Sequence, residues 1–371
     1  MERFNVPTTM REAIAELIRD PKFFTSMAGE ESGTRKQGSG IRQGCTLSPL
    51  LFILLLSAIL TDVEDRVKDE FPFATTPAVP VMDLEYADDT VLIARSKEVA
   101  EKLLGELEGE ANKYGLKLNK AKTARLSYNS DEVVRHADGT TVATAQSVKY
   151  LGVYIDNGGG VGTELRARIG AADTTCRLLC KIWGSKVKDD RCKLRVLDAC
   201  VVSKLIYSLH TMHYHATWEN RVEAFYAKAL RRTLRIKSTY ASKVLGLGDS
   251  VHNDEVYHRA EVGELATKVN RHRLALLGHI LRREGHEASK AVTFDRFAMP
   301  RVLGGPNRVG QPRVRWAEQV MDLAVRGLQG SAEYDALRRQ GGHEYARVAE
   351  LAQDRDWWRS RVKAFAGRLN A

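Results

Sequence analysis

Two adjacent carboxylates, Asp88 and Asp89, stand between two short β-prone runs, residues 81–85 and 90–94. Two such runs joined by a short polar segment predict a β-hairpin, which places both acids at its tip. Carboxylate oxygens are ligands for Mg²⁺, so the tip is a candidate metal-binding site. The structural alternative is that the two residues only form the turn, as Asp commonly does.

Three further segments keep a fixed order along the chain around this hairpin. A polar, glycine-bearing loop leads into an apolar helix, which Pro49 is predicted to start and Ser48 to cap. Two more blocks follow the hairpin. The segments read Gly40-Ile41-Arg42-Gln43-Gly44-Cys45-Thr46-Leu47-Ser48-Pro49-Leu50, Gly115-Leu116-Lys117-Leu118-Asn119-Lys120-Ala121-Lys122-Thr123 and Val148-Lys149-Tyr150-Leu151-Gly152-Val153-Tyr154-Ile155.

Taken in order with Tyr86-Ala87-Asp88-Asp89, these blocks resemble the palm of reverse transcriptases, most closely that of non-long-terminal-repeat retrotransposons and group II introns. The resemblance covers about residues 1–160. It implies an α+β fold in which a partial right-hand polymerase palm, a split βαβ-like antiparallel sheet with helices, precedes a mainly helical thumb-like and C-terminal region. It also implies DNA synthesis from deoxynucleoside triphosphates on an RNA template, with an RNA–DNA duplex and Mg²⁺ or Mn²⁺ bound.

The resemblance assigns roles to individual residues. Asp88 is the ligand of both ions with Asp89 supporting it, and Lys122 protonates the pyrophosphate leaving group. Each of three roles has a structural alternative. Lys122 is alternatively a solvated lysine, Gly44 a residue in a turn that glycine permits, and Tyr150 and Leu151 residues that pack in the core. The substrate-binding residues are Arg42, Gln43, Gly44 and Tyr86, and the primer grip is Tyr150, Leu151 and Gly152.

The family also carries a first catalytic aspartate in an apolar strand ahead of the Arg-Gln-Gly loop. None of the acids that precede this loop here lies in an apolar strand run. We therefore expect a chain that begins after that strand, without fingers, and that is inactive when isolated. The exposed edge at residues 90–94 would then pair with a strand at residues 150–155, or with a strand from another chain.

The residues before the loop predict other elements. Residues 9–19 have the spacing of an amphipathic helix, with Thr9 and Glu12 placed as a capping box. Residues 22–27 and 34–37 predict a short hairpin around Gly29 and Gly33. The acids of this region are accordingly expected to be solvated or capping.

Charge divides the chain into two parts. Residues 1–160 hold 19 Lys and Arg against 24 Asp and Glu, whereas residues 161–371 hold 38 against 23. A cationic region of this kind favours contact with nucleic-acid phosphates, although basic helical surfaces are common in proteins that bind none. The glycine-rich residues 157–162 suit a boundary between the two parts.

Helical periodicity dominates after that boundary. By the resemblance, residues 163–245 are thumb-like and residues 246–371 form a basic helical C-terminal region. In the latter, Leu274, Leu277 and Leu281 form one apolar stripe. The segment from Gly310 to Trp316 is similar to one that follows the polymerase domain in these retrotransposons, and Pro312 is predicted to open a helix carrying Trp316. The predicted helices are 164–183, 191–207, 220–234, 255–283 and further amphipathic helix within 333–369.

Composition excludes several classes of protein. The longest apolar run, residues 50–60, is too short to span a bilayer and predicts a buried helix, and the N-terminus has no signal-peptide pattern. Five cysteines in such a chain fit a reducing interior, so we expect an intracellular protein of nucleus or cytoplasm. The spacing of the cysteines lacks the knuckle of structural zinc sites, and no zinc is expected. Histidines 210, 213 and 215 are expected to be surface or capping residues.

Two functional classes therefore stay open. The first is a reverse transcriptase that acts only when the missing strand and fingers are supplied by a longer product or another chain. The second is a non-catalytic or repurposed nucleic-acid-binding remnant. Template-directed extension by the isolated chain that Asp88→Ala abolishes would contradict the expected inactivity.

Overall fold

The computed structural model describes residues 1–365 apart from 39, 42–43, 69–80, 82, 129, 187–188, 214, 238–239, 241–243, 245, 247–250 and 302–314. Helices and small sheets are mixed, so the fold is α+β, as predicted. The chain divides into two compact units. The first lies within Met1–Phe73, Met82–Thr123 and Glu132–Val142, and the second within Ala74–Val81, Ala124–Asp131 and Ala143–Ala371.

The first unit opens with a helix and two small hairpins, close to the prediction. Helix α1 spans Thr8–Arg19 and its N-cap is Pro7, with no side-chain hydrogen bond, so the predicted capping box was wrong. The φ of Pro7 already favours a helix start two residues earlier than the box requires. The strands that follow are β1 (Lys22–Phe23), β2 (Ser26–Met27), β3 (Glu30–Glu31) and β4 (Arg35–Lys36), with β1 paired to β4 and β2 to β3.

Two long helices form the core of the first unit. Helix α2 (Ser48–Val67) packs against α3 (Lys97–Lys113) through aliphatic side chains. Helix α3 begins where the Ser96 hydroxyl accepts a hydrogen bond from a backbone N–H of the first turn. Gly115, two residues after its end, has a φ of 73°, a conformation that favours glycine. The buried residues are Ile59, Leu60, Val63, Val67, Val99, Leu103 and Leu107.

Two expectations for α2 were wrong. Ser48 is the first helical residue, Leu47 is the N-cap, and no side chain caps the helix. Leu50 and Ile53 are exposed, so only the C-terminal half of this apolar helix is buried. The apolar run alone could not indicate which half faces the core.

Each sheet in the described part of the chain has two strands. β5 (Asp83–Tyr86) pairs with β6 (Asp89–Leu92) in the first unit, and β7 (Ala124–Leu126) pairs in parallel with β8 (Ala143–Ala145) in the second. The predicted strand at 150–155 is instead the hairpin of β9 (Ser147–Tyr150) and β10 (Val153–Asp156), which pair with each other. In the described residues it therefore does not extend the β5–β6 sheet, and a strand from another chain stays a prediction.

The second unit is mainly helical after β10. Several predicted helices are divided. A π-helical turn, Asp198–Val202, interrupts the helix predicted at 191–207, and Glu261, with a φ of 52°, breaks the helix predicted at 255–283. None of the described helices is long and apolar enough to cross a membrane. The helices are α4 (Gly162–Leu178), α5 (Cys180–Gly184), α6 (Asp190–Leu197), α7 (Ser203–Ile206), α8 (Ala216–Leu234), α9 (Asn253–Ala260), α10 (Leu265–Arg282), α11 (Ala288–Thr293), α12 (Trp316–Leu328), α13 (Ala332–Arg339), α14 (Glu344–Leu351) and α15 (Arg355–Phe365).

These helices enclose two hydrophobic cores. One joins α4 to α9 with the start of α10, and the other joins α10 to α15. The predicted stripe of Leu274, Leu277 and Leu281 is buried in the second core, and the tail is helical as predicted. Trp316 packs against that core from the first residue of α12, and its indole N–H donates to the carbonyl of His210 at 2.7 Å. Pro312 lies outside the described residues.

Candidate active site

The carboxylate hairpin has the predicted form. Tyr86 pairs with Asp89, which leaves Ala87 and Asp88 as a two-residue turn. Ala87 has a φ of 54°, and a positive φ at the first turn residue is typical of hairpin turns whose twist matches that of the strands. Both carboxylates are exposed, so solvent and any bound ion reach them.

One face of this hairpin is open. Residues opposite one another in an antiparallel pair share a face, so Tyr86 and Asp89 lie on the same side, with Leu84 two residues before Tyr86. Leu84 is 45% and Tyr86 64% exposed. An aromatic and an aliphatic side chain therefore border the carboxylate of Asp89 on an accessible surface.

The other face carries two acids that the sequence reasoning did not single out, Asp83 and Glu85. Leu92, which pairs with Asp83, packs against the α2–α3 core. Burial raises the pKa of Asp83, and the negative charge of Glu64 adds to it; burial and then Asp83 raise the pKa of Glu85. The alternation of acidic and apolar residues along β5 was the available signal. Two further carboxyl groups thus lie on the face opposite Asp89, Asp83 half-buried and Glu85 exposed.

The remaining residues assigned to substrate lie in the same unit. Gly44 has a φ of 86° and open space around its Cα, so the backbone conformation and not crowding requires glycine. Arg42 and Gln43 lie outside the described residues. Lys122 is exposed in a turn, where its backbone N–H donates to the Asn119 carbonyl at 2.9 Å. No described contact joins Lys122 to the hairpin tip, and its role stays a prediction.

The residues assigned to the primer grip form the β9–β10 turn. Leu151 and Gly152 have φ values of 48° and 79°, the pattern of a type I′ hairpin turn. Leu151 is exposed, which argues against core packing as its role. The hydroxyl of Tyr207 donates to the Leu151 carbonyl at 2.8 Å, and Arg168 donates to the Gly152 carbonyl. Both turn carbonyls are therefore already bound from within the second unit.

A buried glutamate holds this arrangement together. Glu164 is 0% exposed and accepts hydrogen bonds from the backbone N–H of Tyr154, the Arg168 guanidinium and the Ser208 hydroxyl. The Arg168 guanidinium also lies 4.8 Å from the centre of the Tyr207 ring, a cation–π distance. Sequence reasoning missed this cluster, because the four-residue spacing of Glu164 and Arg168 is usual for a solvated helical pair.

The donor set at the hairpin tip fits one divalent ion. Mg²⁺ keeps several waters and binds through one or two carboxylates together with substrate phosphates. Asp88 and Asp89 can provide the carboxylates. A two-ion site needs carboxylates from a second element. In the described ranges no group of three or more His, Cys, Asp or Glu side chains converges on one point. Glu12 and Glu16 are exposed on α1, and Asp20 is ion-paired with two lysines.

Comparison with known proteins identifies the domain in the first part of the chain. A family model described as reverse transcriptase (RNA-dependent DNA polymerase) matches residues 1–155. Residues 1–155 are a reverse transcriptase domain. Its type is that of non-long-terminal-repeat retrotransposons, because the chain is similar to polyproteins of the type-1 retrotransposable element R2.

These relatives differ in how much of them the chain matches. The R2 polyprotein of Nasonia vitripennis is 25% identical over 178 residues, 44% of this chain and 17% of the relative. That of Popillia japonica is 32% identical over 94 residues, 25% of this chain and 15% of the relative. An uncharacterised transposon-derived protein of Caenorhabditis elegans is 24% identical over 259 residues, 67% of this chain and 87% of that protein. The match to this last protein extends beyond the reverse transcriptase domain.

Proposed function

We propose that this protein is an intracellular reverse transcriptase-type protein of retrotransposon origin that binds an RNA template and an RNA–DNA duplex. The observation that carries the proposal is the exposed Asp88–Asp89 pair at a hairpin tip within the matched residues 1–155. Mg²⁺ or Mn²⁺ bound there would neutralise the triphosphate of a deoxynucleotide. The open face beside Asp89, with Tyr86, supplies apolar surface against which a substrate can lie.

The other assigned residues complete this proposal. Arg42, Gln43 and Gly44 contact the nucleotide and template, and Lys122 provides the proton for the leaving group. The turn at Leu151 and Gly152 approaches the primer, held in place by the Tyr207 and Arg168 contacts to its carbonyls. The basic helical region after residue 160 contacts duplex phosphates in the manner of a thumb.

We further propose that these 371 residues alone do not polymerise. The tip offers the carboxylates of one element, whereas a pair of ions is fixed by carboxylates of two. The carboxyl groups of Asp83 and Glu85 do not substitute, because the strand alternation turns them to the opposite face from Asp89. A strand with a further carboxylate, from a longer product or another chain, would complete the site.

The binding part of the proposal is tested with the full chain and a labelled RNA–DNA hybrid. We expect binding whose association constant falls steeply as salt is raised, because phosphate contacts release counterions. A duplex that shows no retention even at low salt contradicts the proposal. The Asp88→Ala variant is the matched control, since removing one exposed acid should leave the duplex contacts of the basic region intact.

A second candidate is a non-catalytic nucleic-acid-binding protein. The observation that favours it is that, in the part of the chain that the structure describes, no third His, Cys, Asp or Glu side chain converges with Asp88 and Asp89 on a metal position. The two candidates differ in one measurable respect. A repurposed binder keeps the same duplex affinity when Asp88 is replaced and when Mg²⁺ and the next deoxynucleotide are added, whereas a polymerase site binds the duplex more tightly with both present.

A further inference from the structure

The second unit contains a basic groove that the reverse transcriptase motifs do not explain. It is a cavity of about 540 Å³ on α8, lined further by residues that follow α8 and by the first residue of α9. Its floor includes the small side chains of Ala224 and Ala227, and its cations are Lys228, Arg231 and Arg232. Among the described residues, no acidic side chain lines it. A volume of this size accommodates a small ligand such as a single nucleotide.

Arg231 is the central cation of this groove. It is 9% exposed, and one guanidinium nitrogen donates to the Val251 carbonyl at 2.9 Å and to the Asn253 side chain at 2.8 Å. The other terminal nitrogen, Nη1, is buried and has no hydrogen-bond partner within the described part of the chain. Among the described residues, no carboxylate lies within ion-pair distance of Arg231. A buried cation without a counter-ion is costly, and an anion in the groove would relieve that cost.

The other side chains of the groove restrict which anion fits. Lys228 is exposed, and the Arg232 guanidinium lies 4.0 Å from the Asp173 carboxylate. Tyr240, 78% exposed, adds an aromatic face on which a nucleobase can stack. A guanidinium prefers the paired oxygens of a phosphate. A compact cavity with an aromatic wall suits a phosphate at the end of a strand better than the continuous backbone, which a longer groove would follow.

We propose that this groove on α8 binds a terminal nucleotide phosphate, either the 5′-phosphorylated end of a single strand or a free nucleoside monophosphate. Arg231 and Lys228 bind the phosphate, and Tyr240 stacks on the base. The proposal rests on the nucleic-acid-binding part of the proposed function and does not require that the carboxylate hairpin be catalytic. A protein with this site would hold a strand by its end as well as by its backbone.

The test uses the full chain and two single-stranded oligodeoxynucleotides of one sequence, labelled at the 3′ end. One carries a 5′-phosphate and the other a 5′-hydroxyl. We expect the phosphorylated probe to bind about tenfold more tightly at moderate salt, the size of effect that a hydrogen-bonded charged group gives. Deoxyadenosine monophosphate should compete with that probe, whereas deoxyadenosine should not; competition by the monophosphate shows that free nucleotide is also a ligand.

Matched variants locate the effect in the groove. Lys228→Glu and Arg231→Gln should remove the preference for the phosphorylated probe, and Tyr240→Ala should weaken both probes. Arg221→Glu, an equal charge change at an exposed residue of the same helix outside the groove, should preserve the preference. Lys228→Glu keeps the test valid if Arg231→Gln does not fold, because Lys228 is exposed.

Four outcomes would overturn the proposal. Equal affinity for the two probes removes the site but leaves nucleic-acid binding intact. A preference that survives in Lys228→Glu, or that Arg221→Glu abolishes to the same degree, places its cause elsewhere. Failure of the full chain to bind either probe at low salt also overturns it, while the proposed function is judged separately by retention of the RNA–DNA hybrid.

Discussion

The Tyr207 hydroxyl donates a hydrogen bond to the Leu151 carbonyl at 2.8 Å, across 56 residues of sequence. This bond joins the end of the α7 segment to the tip of the β9–β10 hairpin. With Arg168 bound to the next carbonyl, it fixes a turn whose two residues have positive φ. The turn assigned to the primer is thus ordered by the helical region that follows it.

Replacing Tyr207 by Phe tests this contact. The change keeps the ring beside Arg168 and removes only the hydroxyl, so we expect a loss of about 1 kcal/mol of unfolding free energy. Amide hydrogen exchange at residues 151–153 should accelerate more than exchange elsewhere in the second unit. Tyr114→Phe, at an exposed tyrosine of the first unit, should change neither measurement. Unaltered exchange at the turn in Tyr207→Phe would show that the bond does not order it.

Gly152→Ala should destabilise the same turn by roughly 1–2 kcal/mol, the cost of a Cβ in the left-handed region. The φ at this position is 79°, and an added Cβ would lie 3.6 Å from the Tyr207 ring. Gly170→Ala is the control, because Gly170 lies within α4 with open space around it. There alanine should stabilise by up to about 1 kcal/mol through its helix propensity. Chemical denaturation measures the change in unfolding free energy of both variants. A change of the same sign in the two would contradict the left-handed conformation assigned to Gly152.

Gly278→Ala should destabilise the second core of the C-terminal region by about 1–3 kcal/mol or prevent its folding. A Cβ at this position would overlap the indole of Trp358, which is 2% exposed and donates to the Leu274 carbonyl at 2.9 Å. The glycine therefore allows α10 and α15 to approach closely. In a double-mutant cycle, Gly278→Ala should cost much less when Trp358 is replaced by Leu. An unchanged cost would place the strain elsewhere.

The raised pKa of Asp83 predicts a pH dependence. Burial and Glu64 favour the protonated form in the folded state, so this contribution to stability is present below about pH 3.8 and is lost as pH rises through the raised folded pKa. Asp83→Asn cannot ionise. The unfolding free energy of Asp83→Asn should therefore rise relative to wild type between pH 4 and pH 7, as measured by urea denaturation. A difference independent of pH would mean that Asp83 titrates normally.

The sequence predicted the elements that local chemistry determines. The hairpin turn at Ala87 and Asp88 follows from residues within a few positions, and it is present. The strand at 150–155 was misjudged because Leu151, a residue that usually avoids positive φ, occupies a turn. Its stabilisation by Tyr207 and Arg168 is a tertiary contact that no local pattern encodes.

At the candidate site, too, the sequence predicted only what a local pattern encodes. Asp88 and Asp89 were found because adjacent acids at a hairpin tip are visible in one segment. Asp83 and Arg231 were missed, because what distinguishes each is burial, and burial depends on residues distant in sequence. Cap chemistry was also misassigned at Ser48, where the backbone starts the helix without a side-chain bond.

We propose that the carboxylate hairpin is one part of a two-metal site and does not polymerise alone. The most direct measurement is primer extension on a primed RNA template with deoxynucleoside triphosphates and Mg²⁺ or Mn²⁺, comparing the full chain with Asp88→Ala. We predict that the wild-type chain binds the primed template yet extends it no further than the Asp88→Ala variant does. Template-directed product made by the wild type and abolished in Asp88→Ala would contradict the claim.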